Sequence, residues 1–424
     1  MDMSKILNIG LIGLGTIGSG VVEILQKNSG LIEKRTNIKL VLKAVCDLND
    51  ILVKKLGIDL NIYYKNYKDV INNKDVNVIV ELIGGYEPAH TIILEALRAK
   101  KHVVTANKAV LAKYGYELFE EAQKNNVNIL FEASVGGCIP IIRTIEESHS
   151  SDNIYEIYGI INGTTNYILT RMSEGMSYED ALKKAQELGF AEANPSFDVE
   201  GKDASQKLSI LAALAFDAKI NQEPFTEGIT KITKKDIEYA KEMGYNIKLL
   251  AIGKKHDNSI ELRTHPTMIP VKHIFSTINN EVNGILFSAK NIGQIFLSGK
   301  GAGKLPTASV VITDMIEIGS RTRLAERHFE NIKISDIGEI KTRYYLRFNV
   351  TDKPGVFAKI AKILGDNNIS IAAVSQKEIN KEVVPVIIIT HESLEKNLIN
   401  AVKECNKLDI IKQETVIIRI EDLK

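Results

Sequence analysis

Six residues near the start of the chain, Gly13-Leu14-Gly15-Thr16-Ile17-Gly18, constrain its fold more than any other feature. They follow an apolar run, Ile6–Ile12, that reads as a buried strand, and they open a helix predicted over Gly18–Gln26. Glycines at this GxGxxG spacing allow a tight turn and let a pyrophosphate come against the backbone. The helix that follows presents unpaired N–H groups and the positive end of its dipole. The strand–turn–helix context makes Gly13, Gly15, Thr16, Ile17 and Gly18 candidate dinucleotide contacts. Further strands are predicted at Lys39–Cys46, Val76–Ile83, Lys101–Thr105 and Asn128–Phe131, with helices at His90–Ala99 and Leu111–Asn125. Alternation of this kind makes βαβ units and a parallel sheet, an α/β fold.

A chain of 424 residues exceeds one ordinary domain. Its net charge of +1 offers no basic excess for a nucleic acid backbone, so the expected partner is a small molecule. Cys46, Cys138 and Cys405 are far apart and make neither a CxxC pair nor a metal spacing. A reducing, cytoplasmic location is expected. The apolar N-terminus is interrupted by five glycines and holds no run of ~20 apolar residues, so neither a signal peptide nor a membrane span is expected.

The second strand ends at Cys46-Asp47. An acid here bonds the adenosine ribose and favours NAD, whereas an arginine accommodates the phosphate of NADP. The competing role for Asp47 is to cap the next turn. Thr105 and Lys108, in the segment Thr105-Ala106-Asn107-Lys108, lie at the carboxyl end of a predicted strand, where ligands bind in doubly wound sheets. The competing role for Lys108 is that of an exposed loop lysine. After the next strand, Glu132 and the turn Val135-Gly136-Gly137-Cys138-Ile139-Pro140 offer oxygens to a hard cation, or simply a tight turn between domains.

The densest run of chemistry spans Gly189–Lys207 and contains Glu192, Asp198, Asp203 and Lys207. Asp203 and Lys207 are four apart and share a helix face that continues through Ile210, Leu211 and Leu214. Charges on an apolar face are costly unless paired, and a paired, desolvated lysine suits proton transfer to an oxygen. An ordinary salt bridge with an outward lysine stays open at this point. Helices are predicted at Tyr178–Leu188, Asp203–Phe216, Lys234–Met243 and Pro306–Ile318, and Ser320–Arg343 reads as a charged linker. The C-terminal residues restart a βαββαβ pattern, the layout of a ferredoxin-like domain.

These motifs resemble the homoserine dehydrogenase family through residues 5–320: GLGTIG, TANK, the EASVGG segment, the Gly189–Lys207 block and GKGAGKLPTASVV. The resemblance implies reversible, NAD(P)-dependent interconversion of L-aspartate 4-semialdehyde and L-homoserine. It implies Lys207 as the proton-transfer group with Asp203 as its partner, and Glu192, Asp198 and Asp203 about the substrate amino group. It places Lys108 beside nicotinamide and substrate, adds Gly189 and Gly303 to the cofactor contacts, and puts a sodium-type cation on Glu132 and the carbonyls of Val135, Gly137 and Ile139. Many family members carry arginine where this chain has Cys46, so NAD is expected over NADP. Rival readings are another amino-acid dehydrogenase, or a silent amino-acid sensor.

The C-terminal part resembles an ACT domain through Asp352-Lys353-Pro354-Gly355 and Asn368-Ile369-Ser370-Ile371. It implies amino-acid binding between copies, hence a homo-oligomer, dimer or tetramer. Because the upstream chemistry leads toward threonine, threonine is the expected effector; the competing role is a domain that only builds an interface. The expected organisation is a Rossmann-type nucleotide domain over residues 1–132, completed by about 304–320, and an α+β catalytic and dimerisation domain over 133–303. A linker at 321–342 then leads to a ferredoxin-like ACT domain at 343–424, which should be removable without unfolding the rest.

Overall fold

The computed structural model describes residues 4–148, 151–320, 327–376 and 382–423. β1 (Lys5–Ile12) leads into α1 (Thr16–Thr36), and β2 (Ile38–Cys46) returns parallel to β1. Then come α2 (Asp50–Lys55), β3 (Tyr63–Tyr64), α3 (Tyr67–Asn72), β4 (Val78–Glu81), α4 (Ala89–Arg98), β5 (His102–Thr105), α5 (Lys108–Lys124) and β6 (Ile129–Leu130). The sheet order is β3-β2-β1-β4-β5-β6 with every pairing parallel, the doubly wound dinucleotide-binding order. Side chains of Asn49, Asn66 and Asn107 accept N–H bonds at the starts of α2, α3 and α5, which is why the chain turns into helix there.

The chain continues through α6 (Ile141–Arg143), β7 (Ile154–Ile160), α7 (Gly163–Ser173), α8 (Tyr178–Glu187), α9 (Ser196–Val199) and α10 (Lys202–Phe216). β8 (Phe225–Thr226), α11 (Lys234–Glu242), β9 (Tyr245–Lys255), β10 (Ser259–Pro270), β11 (Val282–Ala289), β12 (Gly293–Lys300) and α12 (Lys304–Ser320) follow. The last stretch holds β13 (Lys333–Ile334), β14 (Lys341–Thr351), α13 (Val356–Asp366), β15 (Ile371–Gln376), β16 (Val383–Thr390), β17 (Ser393–Leu394), α14 (Glu395–Cys405) and β18 (Val416–Ile420).

Two compact units result. The first gathers Met1–Ile154, Ser209–Asn221 and Ile285–Asn331; the second gathers Tyr155–Leu208, Gln222–Gly284 and Ile332–Lys424. In the first unit, Ala308, Val311, Ile312 and Met315 of α12 join Ile9, Leu11 and Val80 of the parallel sheet in one buried apolar cluster. The fit of α12 to α1 is close. A Cβ on Gly20 would lie 3.0 Å from that of Ala308, and Lys5 donates to the Gly319 carbonyl at 2.6 Å.

In the second unit, β7, β9 and β10 are antiparallel neighbours, and β10 then pairs in parallel with β18 through Thr267–Arg419 and Met268–Ile420. From β18 the sheet continues β14-β16-β15, so the βαββαβ module has its own strand order and its own core around Tyr344, Phe348, Ile360 and Leu398. The module is not set apart in the sheet, because its last strand extends the sheet of β9 and β10. Of the expected linker, residues 321–326 lie outside the described residues. The remainder includes β13, bonded to β10, a short turn of helix at Ile337–Glu339, and the start of β14. Periodicity identifies strands, but an edge such as that of β10 takes its partner from far along the chain.

Candidate active site

The glycine loop leaves β1 at the point where strand order reverses. Gly13 has φ +100°, and a Cβ there would stand 2.8 Å from the Leu82 carbonyl; one on Gly18 would strike the Gly13 carbonyl oxygen at 2.0 Å. Only glycine satisfies both. Gly15 and Thr16 are exposed at the start of α1, with Ile17 half-buried behind them. Asp47 lies at the end of β2, as expected, but its carboxylate is partly engaged. Oδ2 accepts from the Leu14 N–H at 2.6 Å and Oδ1 from the Asn49 N–H at 2.7 Å. It therefore clamps the glycine loop and caps the turn, while each oxygen keeps a lone pair.

At the ends of β4 and β5 a second cluster forms. Thr105, fully buried, donates to Glu81 Oε2 at 2.6 Å, and Glu81 Oε1 accepts the N–H groups of Ile83 and Gly84. Asn107 donates to the Gly85 carbonyl at 2.8 Å and caps α5, which begins at Lys108. Lys108 is half-buried on the first turn of that helix. Sequence reasoning overlooked Glu81; the available signal was an acid ending an otherwise apolar strand.

Glu132 is 4% exposed, and its oxygens accept the N–H groups of Ile142 and Arg143 at 2.8 and 2.7 Å. Burial pushes its carboxyl up to about 7 against the pull of those bonds and of the Arg143 charge. Gly136 and Gly137 have φ of +73° and +60°, which shapes the turn that carries Val135, Gly137 and Ile139. A cavity of about 340 Å³ opens beside it, lined by Glu132, Cys138, Pro140, Arg143, Pro306 and Val310 among others. Gly303, φ +136°, is exposed just ahead of α12. Among the described residues no group of three or more His, Cys, Asp or Glu side chains has a metal-holding arrangement.

In the second unit the Asp203–Lys207 pair sits at the start of α10. Lys207 Nζ donates to Asp203 Oδ2 at 2.7 Å and to the Ile161 carbonyl at 2.8 Å, with the two side chains 12% and 6% exposed. This burial rules out the outward, solvated lysine. Asp203 Oδ2 also accepts from Asn162 Nδ2 at 2.9 Å, and the same amide donates to Asp198 Oδ1 at 2.7 Å. Asn162 is held in turn by its Oδ1, which caps α7 through the Thr165 N–H. Asn162 therefore joins Asp198, Asp203 and Lys207 into one network. It went unpredicted because nothing near it in sequence marks it. Glu192 is exposed and outside this bonded group, and Gly189, φ +75°, ends α8.

A doubly wound sheet with this loop binds a dinucleotide, and a buried ammonium between a carboxylate and a carbonyl suits proton exchange with an alcohol or aldehyde. The class is an NAD(P)-dependent oxidoreductase. Residues 13–132 match the family model for the homoserine dehydrogenase NAD binding domain, 140–316 that for homoserine dehydrogenase, and 344–406 that for the ACT domain. The chain is 40% identical over 433 residues to a homoserine dehydrogenase of Neisseria gonorrhoeae, covering 99% of each. A homoserine dehydrogenase from Thiobacillus denitrificans has a solved structure that superposes with TM-score 0.93 at 39% identity, with 99% of each chain covered. A hyperthermophilic archaeal homoserine dehydrogenase solved with NADPH superposes at TM-score 0.63 and 26% identity, over 74% of this chain and 97% of that one. The chain belongs to the homoserine dehydrogenase family.

Proposed function

We propose that Lys207 is the proton-transfer group of the homoserine dehydrogenase reaction. The observation that carries this is its hydrogen bonding: an ammonium has three N–H groups, and two of them are accounted for by Asp203 and Ile161. The third is assigned to the substrate oxygen. In the reducing direction the nicotinamide, when bound, supplies the hydride to the aldehyde carbon of aspartate semialdehyde. The carbonyl oxygen takes its proton from Lys207, and homoserine results; in the oxidising direction Lys207 accepts that proton. Asp203 keeps the ammonium in place and balances its charge, and Asn162 holds Asp203. Glu192, Asp198 and Asp203 are assigned to the substrate ammonium, and Lys108 to the substrate and nicotinamide. Nicotinamide absorbance, followed with homoserine and each nucleotide in wild type and Lys207→Ala, tests this assignment.

For the nucleotide, we assign Gly13, Gly15, Thr16, Ile17 and Gly18 to the pyrophosphate, with Thr105, Gly189 and Gly303 as further contacts. Asp47, with Cys46 rather than arginine before it, supports NAD as the preferred cofactor. A sodium-type cation is assigned to the buried Glu132 and the carbonyls of Val135, Gly137 and Ile139, since a hard monovalent ion suits an all-oxygen set with one carboxylate. Its role would be to fix that turn. For the ACT module we assign threonine as the effector, supported by α13, whose N-cap Gly355 leaves its first N–H groups without a side-chain cap. Asn368, φ +59°, follows that helix and is assigned to the bound amino acid. Activity of the full chain with millimolar threonine tests the effector, and sedimentation tests the proposed dimer or tetramer.

A further inference from the structure

Arg419 on β18 is almost wholly buried, and its guanidinium is shared between two acids. Nε donates to Glu395 Oε2 at 3.0 Å, and Nη1 donates to Glu227 Oε2 at 2.6 Å. Glu395 is itself buried and accepts a further bond from the Tyr344 hydroxyl at 2.8 Å. This side of the fork is rigid because three groups of the C-terminal module define it. The Glu227 side differs: that side chain is 49% exposed, so its ion pair contributes little to stability.

What Glu227 carries is a strap of backbone. Its N–H bonds the Thr264 carbonyl of β10 at 2.8 Å. The next residue, Gly228, lies so close to α9 that a Cβ on it would stand 2.2 Å from the Val199 carbonyl oxygen. Ile229 N–H then donates to that same Val199 oxygen at 2.8 Å. Val199 adjoins Asp198, whose carboxylate meets the Asn162 amide that also holds Asp203.

We propose that Arg419, acting through Glu227, is a positioning residue for the substrate-binding segment Ser196–Val199, so that the C-terminal module helps set the place of Asp198. This rests on the reading that Asp198 contacts the substrate. The Arg fork has a fixed shape, and its buried half is anchored, so its outer N–H fixes where the Glu227–Ile229 strap lies on β10.

The test is steady-state kinetics on the full chain for Glu227→Ala, Glu227→Gln, Asp198→Asn and the double variant Glu227→Ala/Asp198→Asn, with a melting curve for each. Glu227→Ala should raise the homoserine KM roughly 2- to 30-fold, the span of couplings along packed paths. It should leave kcat, nucleotide KM and Tm nearly unchanged, since Arg419 keeps Glu395. Glu227→Gln retains an acceptor for Nη1 and should recover most of the loss. In the Asp198→Asn background, Glu227→Ala should add nothing. If Asp198→Asn raises the homoserine KM and Glu227→Ala does not, the positioning role alone falls. It also falls if Glu227→Ala lowers Tm and weakens nucleotide in step, as a merely structural contact would. If Asp198→Asn leaves the homoserine KM unchanged, the substrate role of Asp198 fails and takes the positioning role with it.

Discussion

Arg347 of β14 and Asp236 of α11 are joined by two hydrogen bonds, of 2.6 and 3.0 Å, and their side chains are 7% and 0% exposed. The Tyr345 hydroxyl adds a third bond to Asp236, at 3.1 Å. Asp236 lies in the catalytic part of the chain and closes the capping box of α11 with Thr233. The C-terminal module therefore supplies the counter-charge to a carboxylate buried outside it.

Removing that counter-charge should be severe. Arg347→Ala is expected to cost roughly 3–5 kcal/mol in chemical denaturation, the range for a buried pair stripped of one partner. Deleting residues 343–424 should give an unfolded or aggregated chain, because β10 loses β18 and Arg263 loses Glu421 as well. A truncated enzyme with full activity and near-wild-type Tm would contradict both expectations.

Lys207→Ala should lower kcat by ~10²–10⁴-fold, the usual contribution of a positioned acid–base group. Nucleotide affinity, measured by fluorescence titration, should hardly change, since none of the polar partners found for Lys207 belongs to the glycine loop. Near-wild-type turnover in this variant would remove Lys207 from the mechanism.

Cofactor choice turns on Asp47. Asp47→Ser combined with Cys46→Arg should shift kcat/KM toward NADP, because a carboxylate that repels the extra phosphate is replaced and a cation is placed beside it. Asp47 also accepts the Leu14 N–H, so the variant should bind both nucleotides somewhat less tightly. A wild-type enzyme that strongly prefers NADP would refute the NAD assignment.

Lys248 gives a pH dependence. Lys248 is 4% exposed, and among the described residues its ammonium is bonded only to neutral oxygens, those of Asn166, Ile278 and Asn279, at 2.6 to 3.0 Å. Burial lowers its pKa from 10.5 to about 8. Between these values the unfolded chain binds the proton and the folded one does not, so stability rises with pH across that window. The unfolding free energy of wild type minus that of Lys248→Met should be flat below pH 8 and grow toward pH 10.5. A difference that stays constant over that range would show that Lys248 keeps an ordinary proton affinity, and one that shrinks would show a raised one; either refutes the lowered value.

Much was legible in the residues alone, and for local reasons. The GxGxxG turn, the alternation behind the parallel sheet, the i,i+4 placement of Asp203 and Lys207 and the βαββαβ order all depend on neighbours within a few turns of chain. Such patterns survive without knowledge of what packs against them. The roles that tertiary structure decided belong to groups whose partners are distant in sequence. Asp47 gains the Leu14 N–H from 33 residues away, Asn162 reaches Asp203 across 41, and Arg347 reaches Asp236 across 111. Hydrogen bonds and ion pairs act over a few ångströms in space, whatever the distance along the chain. For that reason the sequence marked Lys207 as chemically capable, while the fold alone determined that Asn162 holds its partner and that the C-terminal module is built into the catalytic sheet.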